Sequence, residues 1–294
     1  MHTYQFLRPG RCWRNLFPVK HQYLLAGLLS GLIACQAQAL TLEGNLIQGG
    51  MVIGQVQPGD RVLVDGDPVR VSRDGAFLIG FGRDAPLETS ITVIRDDKVL
   101  EKRVHKIAKR SYQVQKIDGL PKSKVTPPKQ DWERIKKEAA MVKAARRSDD
   151  PRTDFLDGFI WPVVGRISGV YGSQRVLNGK PRRPHFGVDI AAPAGTKVVA
   201  PAAGIVTLAS PDLFYSGGTL IIDHGHQFSS SFLHLNKILV KVGDRVQQGD
   251  VIAEVGATGR VTGAHLDWRM NLRRARIDPQ LLVPPMPVKA ASAM

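Results

Sequence analysis

Five of the eight histidines in this 294-residue chain fall between positions 185 and 265, and two stand beside carboxylates: His185 with Asp189, and His265 with Asp267. Alternate side chains of an extended chain share a face, so His265 and Asp267 should point the same way. If 185–190 is extended, His185, Gly187 and Asp189 do so too, with the glycine leaving room between the two polar side chains. Imidazole nitrogens and carboxylate oxygens from two such pairs form a donor set that zinc accepts. Zinc with an open coordination position lowers the pKa of its water towards neutrality and supports hydrolysis. Each pair alone is equally well explained by a surface hydrogen bond or a helix cap. Their concentration in one segment is what favours a metal hydrolase.

The remaining histidines have plainer explanations. His224 and His226 flank Gly225 in a turn, where an exposed residue or a strand-end cap is expected. His105 has no partner motif and reads as a strand-surface residue, while His2 and His21 belong to the N-terminal segment. Trp268 is expected to pack, with groove contact as the other reading for it and Arg269. Arg175, Asn178 and Arg183 precede His185 and either line a groove or form a solvated basic loop.

The elements that must position these groups are mainly β. Over 40–115, short apolar runs alternate with turn residues: Arg61–Val64, a turn at Asp65–Pro68, Val69–Val71, a turn at Arg73–Gly75, then Ala76–Ile79. Ser90–Ile94 and Val99–Val104 flank a turn at Asp96–Lys98. This spacing predicts an N-terminal β-sandwich domain. Residues 116–158 read as a basic linker containing one exposed amphipathic helix, with Trp132, Ile135, Ala139, Met141 and Val142 as its apolar positions. Residues 159–283 form a second β domain, with strands at 197–199, 204–208, 220–223, 230–233, 251–255 and 265–270, and 284–294 form a tail.

Charge narrows the partners. The chain carries 41 Lys and Arg against 26 Asp and Glu, a formal charge of +15. Segment 98–150 alone has a net charge of +9. Such a stretch suits an anionic cell-wall or membrane surface, with a solvated linker as the plainer reading. No aromatic residues alternate with the charges to stack bases, so nucleic acid is not expected. No apolar run of about 18 residues follows the N-terminus, which excludes a multi-span membrane protein. Both cysteines, Cys12 and Cys35, precede the folded body, which therefore holds neither a disulfide framework nor a thiolate metal cluster.

Residues 1–39 read as an export signal. Arg8, Arg11, Arg14 and Lys20 precede an apolar stretch from Tyr23 to Cys35, and Ala37-Gln38-Ala39 follows as a cleavage site. Leu32 to Cys35 also resembles a lipobox, which would anchor a lipidated Cys35. β-structure expected from Thr41 leaves no tether, so cleavage after Ala39 and a periplasmic or cell-envelope location is the favoured reading.

His185 to Pro193 followed by Gly195 to Val198 resembles the first motif of the lysostaphin-type (M23, LytM-like) zinc metallopeptidases. Ile222–Gly225, Phe232–Leu235, Val242–Val246, Gly249–Ile252, Gly256–Gly259 and Gly263–Leu266 follow in the family's order. The resemblance spans about 160–283, and 41–115 resembles the β-sandwich domain that some members carry. It implies an antiparallel β-sheet core with a shallow groove, one Zn²⁺ ion, and cleavage of peptide bonds in peptidoglycan cross-bridges. By position it makes His185 and Asp189 zinc ligands and makes His234 and His265 the catalytic histidines. The third ligand, a histidine in the usual pattern, falls here on Asp267. Carboxylate oxygen is an acceptable zinc ligand, but its charge weakens the Lewis acid. The alternative is a LytM-like regulator that has lost the metal and only binds peptidoglycan or activates a cell-wall amidase. Val242–Val246 with Gly249–Ile252 also resembles a lipoyl carrier hairpin, but no modifiable lysine stands at the required turn.

Overall fold

The computed structural model describes residues 39–287. The expected export signal up to Gln38, with Cys35, lies outside the described residues, as does 288–294 of the expected tail.

The described chain is mainly β. Strands β1 (Thr41–Gly44), β2 (Met51–Gln55), β3 (Arg61–Val64), β4 (Asp67–Val69), β5 (Ala76–Gly80), β6 (Glu88–Arg95) and β7 (Lys98–Lys106) form two antiparallel sheets, ordered β1-β2-β5 and β4-β3-β6-β7. Val52, Phe77 and Ile79 of the first sheet share a core with Val62, Ile91 and Val93 of the second. Asp65 and Gly66, at φ 51° and 89°, close the β3–β4 hairpin in two residues, as Asp96 and Asp97 close β6–β7. Asp67, Pro68 and Lys98, expected in the turns, therefore belong to strands.

The other side of the first sheet faces the larger core, which Met51 and Leu78 join. Side chain and backbone tie the same region to the far end of the chain. Asn45 Nδ2 donates to the Leu281 carbonyl at 3.1 Å, the Asp278 amide donates to the Gly49 carbonyl at 2.7 Å, and Arg110 donates to Asp278 at 2.9 Å.

The expected linker is more engaged than its composition implies. It holds β8 (Val114–Ile117), α1 (Lys122–Val125) and α2 (Trp132–Ala145). Helix α2 turns Val142 and Ala145 onto Leu208, Leu213 and Ile221, and Glu138 accepts the Phe214 amide at 2.7 Å. Trp132 and Met141, placed on the apolar face by sequence, are 56% and 39% exposed. Only the stripe one turn apart meets the sheet.

The rest of the chain contributes β9 (Arg166–Gly169), β10 (Gln174–Leu177), β11 (Lys180–Pro181), β12 (Val188–Ala191), β13 (Lys197–Val199), β14 (Gly204–Leu213), β15 (Gly217–Asp223), β16 (Phe228–Ile238), β17 (Arg245–Val246), β18 (Val251–Val255), β19 (His265–Leu272) and β20 (Ala275–Ile277). Its main sheet runs β17-β14-β15-β16-β19-β12-β9, with β13, β18 and β20 attached. Strand β10 stands apart, paired antiparallel with β11 and parallel with β8.

Period-two alternation sorts the side chains of β19. Leu266, Trp268, Met270 and Leu272 enter the core, where Trp161 meets Trp268 edge-on at 5.8 Å. His265, Asp267, Arg269 and Asn271 fall on the opposite face. Packing is thus the role of Trp268.

His224 and His226, expected in an exposed turn, are buried at 0% and 3% exposure. The His224 ring donates from Nδ1 to the Ala203 carbonyl at 2.6 Å and accepts at Nε2 from the Ser230 hydroxyl at 2.8 Å. Burial pulls its pKa down to about 4. The unfolded chain takes up this proton near pH 6.5 and the folded chain does not. The stabilisation is therefore complete above about pH 6.5 and is lost as pH falls towards 4, by about 3 kcal/mol. Urea unfolding at neutral pH and near pH 4.5 should show this loss, and His224→Gln should reduce the dependence.

Candidate metal centre

Strands β12 and β19 run antiparallel with Asp189 directly opposite Asp267. Like charges in such a pair repel. Each carboxylate is instead held by a guanidinium: Arg175 Nη2 donates to Asp189 Oδ2 at 2.5 Å, and Arg269 donates to Asp267 through Nε at 2.9 Å and Nη2 at 2.5 Å. Gly187 makes room for this arrangement. A Cβ there would lie 2.6 Å from Arg269 Cγ and 2.7 Å from Asp267 Oδ1.

His185 completes the cluster. One ligand atom each from His185, Asp189 and Asp267 lie within 4.8 Å of one another, and all three residues are buried. His185 Nε2 is 3.0 Å from Asp189 Oδ1, yet both His185 ring nitrogens and that oxygen are buried without a hydrogen-bond partner. Buried polar atoms left unpaired are costly. A nitrogen and two carboxylates converging in this state suit a divalent cation with mixed N/O ligands, and zinc fits that donor set. Burial and the facing Asp267 push the Asp189 carboxyl up, but His185 and Arg175 outweigh them and leave it below the usual range. Burial likewise raises Asp267, and Arg269 with His185 outweighs it, so Asp267 stays ionised.

The other two residues singled out by sequence flank this cluster. His234 sits on β16 at φ 66°, a left-handed conformation uncommon outside glycine, beside an irregularity in strand pairing. Its Nδ1 donates to the Thr258 carbonyl at 2.8 Å, and His265 Nδ1 donates to the Gly263 carbonyl at 2.9 Å. A carbonyl can only accept, so each ring carries a proton on Nδ1 and turns Nε2 away from that bond. The two rings lie 4.9 Å apart, and His265 Nε2 is 3.8 Å from Asp189 Oδ1. Burial pulls the His234 pKa down to about 4, so it is neutral at pH 7.

A cleft of about 160 Å³ opens on these groups, lined by Asp189, His234 and His265 together with Arg175, Arg260 and Ile117. Gln115 and Ile117 of β8, with Leu120 just before α1, form part of its wall. Asn178 clamps the Leu120 backbone, accepting its amide at 3.2 Å and donating to its carbonyl at 2.6 Å. Arg182 donates to the Val125 carbonyl at 2.8 Å, and Arg260 donates to that of Lys124 at 3.3 Å. Arg183 is exposed. The bracing roles of Arg175 and Arg269 were missed in the sequence. For Arg269 the signal was present, since it stands one strand period beyond Asp267.

The fold and site together define a mainly-β protein with a buried His–Asp–Asp centre on the open face of an antiparallel sheet. The model of peptidase family M23 matches residues 183–279. A crystal structure from Pseudomonas aeruginosa, described as an M23 peptidase, superposes with a TM-score of 0.62 at 31% identity, covering 81% of this chain and 94% of that one. The chain belongs to peptidase family M23. Among characterised relatives, the peptidoglycan DD-endopeptidases ShyA and ShyB of Vibrio cholerae are 39% identical over 109 residues and 42% identical over 97. These matches cover 37% and 32% of this chain but only 25% and 22% of the relatives, so the chain spans about a quarter of their length.

Proposed function

We propose that this protein is an exported zinc endopeptidase that hydrolyses peptide bonds in peptidoglycan cross-bridges. The observation that carries the reading is the buried His185–Asp189–Asp267 cluster, in which both His185 ring nitrogens and Asp189 Oδ1 lack partners, set beside His234 and His265. Family membership and the DD-endopeptidase relatives support the substrate class. His185, Asp189 and Asp267 would hold the metal. When bound, zinc supplies a Lewis acid that polarises a carbonyl and acidifies water.

The remaining steps belong to the chain. His234 and His265 are each held in place through Nδ1, which leaves Nε2 of the neutral His234 ready to accept a proton from the attacking water and His265 Nε2 positioned beside it. Once protonated, either ring becomes a hydrogen-bond donor for a developing oxyanion. A protein that only bound peptidoglycan or an amidase would need neither tautomer fixed. Asp189 and Asp267 stay ionised through Arg175 and Arg269. Exposed basic side chains such as Lys102, Arg103, Lys136 and Lys137 in the 98–150 segment would favour an anionic wall surface.

The test is metal analysis of the purified chain combined with release of soluble fragments from purified cell walls. Zinc near one per chain with fragment release is expected. Neither metal nor release would leave the regulator reading in place.

A further inference from the structure

His234 is held in a conformation that its own strand does not provide. Antiparallel pairing sets Gly218 opposite Leu235 and Leu220 opposite Phe232, so Leu233 and His234 together face the single residue Thr219. This is a β-bulge on β16, a device that re-aims a side chain. At φ 66° the bulged residue is strained, and such strain persists only where the surroundings over-determine it. One tie is the His234 amide, which donates to the Ser216 carbonyl at 2.8 Å.

The others run through Thr258, in the Gly256–Gly259 segment between β18 and β19. The Thr258 carbonyl accepts the His234 Nδ1 proton at 2.8 Å. Its hydroxyl accepts the Gly218 amide at 2.9 Å and donates to the Leu235 carbonyl at 3.0 Å. One side chain thus bridges the backbone of two facing residues, and the second of them follows His234 directly. Glycines make room for this approach. A Cβ on Gly217, itself at φ 59°, would overlap the Thr258 hydroxyl, and one on Gly259 would crowd the Gly217 amide. The same segment meets the second histidine, since the His265 amide donates to the Gly256 carbonyl at 3.2 Å. The two imidazoles, 4.9 Å apart, are therefore spaced by one short loop.

We propose that Thr258 is a positioning residue for His234. Its hydroxyl pins the 256–259 loop across the bulge, and its carbonyl thereby fixes the direction and the tautomer of the ring. Valine has nearly the same shape but can neither accept from Gly218 nor donate to Leu235. It leaves both backbone groups without this partner, and pairing them anew requires the bulge and the loop to shift. The Thr258 carbonyl then no longer meets the imidazole. Serine keeps the hydroxyl and with it the arrangement. The placement of His234 stands on these hydrogen bonds alone, whereas its effect on catalysis rests on the hydrolase reading above.

The test uses the whole chain with isotope-labelled histidine. Long-range proton–nitrogen spectra at neutral pH report which ring nitrogen carries the proton. In the wild type and in Thr258→Ser, His234 should hold its proton on Nδ1. In Thr258→Val the two ring nitrogens should average as the tautomers mix. Thr258→Ala deletes the hydroxyl without placing an apolar group beside the Gly218 amide, and it gives the same readout if the valine variant fails to fold. Thr196→Val, which removes a hydroxyl bonded to the Pro193 carbonyl at 2.7 Å, should leave the His234 signals unchanged. A wild-type His234 protonated on Nε2 would overturn the proposal without any variant, and so would an unchanged tautomer in the folded valine or alanine variant. In the zinc-loaded chain, Thr258→Val should slow fragment release from cell walls about 10- to 100-fold, the scale of losing a partner that orients an active imidazole. Zinc content should stay near wild type, and Thr258→Ser should restore the rate. Slower release in Thr258→Val with the wild-type tautomer retained would reduce Thr258 to a structural role and overturn the proposal. The expected spectra without hydrolysis by the wild type would support the placement of His234 and count against the hydrolase reading instead.

Discussion

Asp267→Ala is expected to empty the metal site and to destabilise the fold in the same step. The substitution leaves only His185 and Asp189 to hold zinc, so metal content and cell-wall hydrolysis should fall together. It also strips Arg269 of the carboxylate that it grips with two hydrogen bonds. A buried cation deprived of its partner costs about 3–5 kcal/mol. Asp267→His would restore a familiar zinc ligand, yet it leaves the same guanidinium unpaired. It should therefore bind zinc but melt earlier, and the double variant Asp267→His with Arg269→Gln should recover part of the stability. Zinc analysis and denaturant unfolding of the wild type, Asp267→His, Arg269→Gln and the double variant form a double-mutant cycle. Full zinc occupancy and full hydrolysis in Asp267→Ala would remove Asp267 from the ligand set.

His265→Ala should separate catalysis from metal binding. His265 stands on the same strand face as Asp267, but its Nε2 is 3.8 Å from Asp189 Oδ1 and its Nδ1 is engaged by Gly263. Removing the ring takes away a proton acceptor and none of the three converging ligand atoms. Zinc content should stay near wild type while kcat falls about 10²- to 10⁴-fold, the range for losing a general acid–base group. Loss of zinc in this variant would move His265 into the ligand set.

Much of this site was legible because strand periodicity is a local property. The spacing of His265 and Asp267 placed them on one face of β19. But 185–190 is not extended throughout as expected: the chain bends at Gly187, and only Val188–Ala191 is strand. Neither the resulting 3.0 Å approach of His185 to Asp189 nor the register that sets Asp189 opposite Asp267 was legible. The conformation of His234 was not legible. Its left-handed backbone depends on the irregular pairing of β15 and β16, which no run of residues announces. The burial of His224 and His226 was missed for a related reason. A glycine between two polar residues signals a turn, but whether that turn is covered depends on Phe155 and Phe159, some 70 positions away, whose rings meet the two histidines edge-on. The engagement of 116–130 was hidden by composition, since prolines and lysines describe a linker equally well when Asn178, Arg182 and Arg260 hold its backbone.

The ties between Asn45 and Leu281, and between Gly49 and Asp278, bear on the order in which the molecule can be assembled. Contacts separated by more than 220 positions are late events for a chain that emerges from one end. Strands β1 and β2 can collapse early onto their own small core, but the seat of Met51 and Leu78 is built from residues up to Ile277. The arginines and carboxylates of the centre span Arg175 to Arg269, so they too are brought together late. The two facing carboxylates are set by the pairing of β12 with β19, so the candidate centre takes shape only after β19, late in the described chain, has joined the sheet.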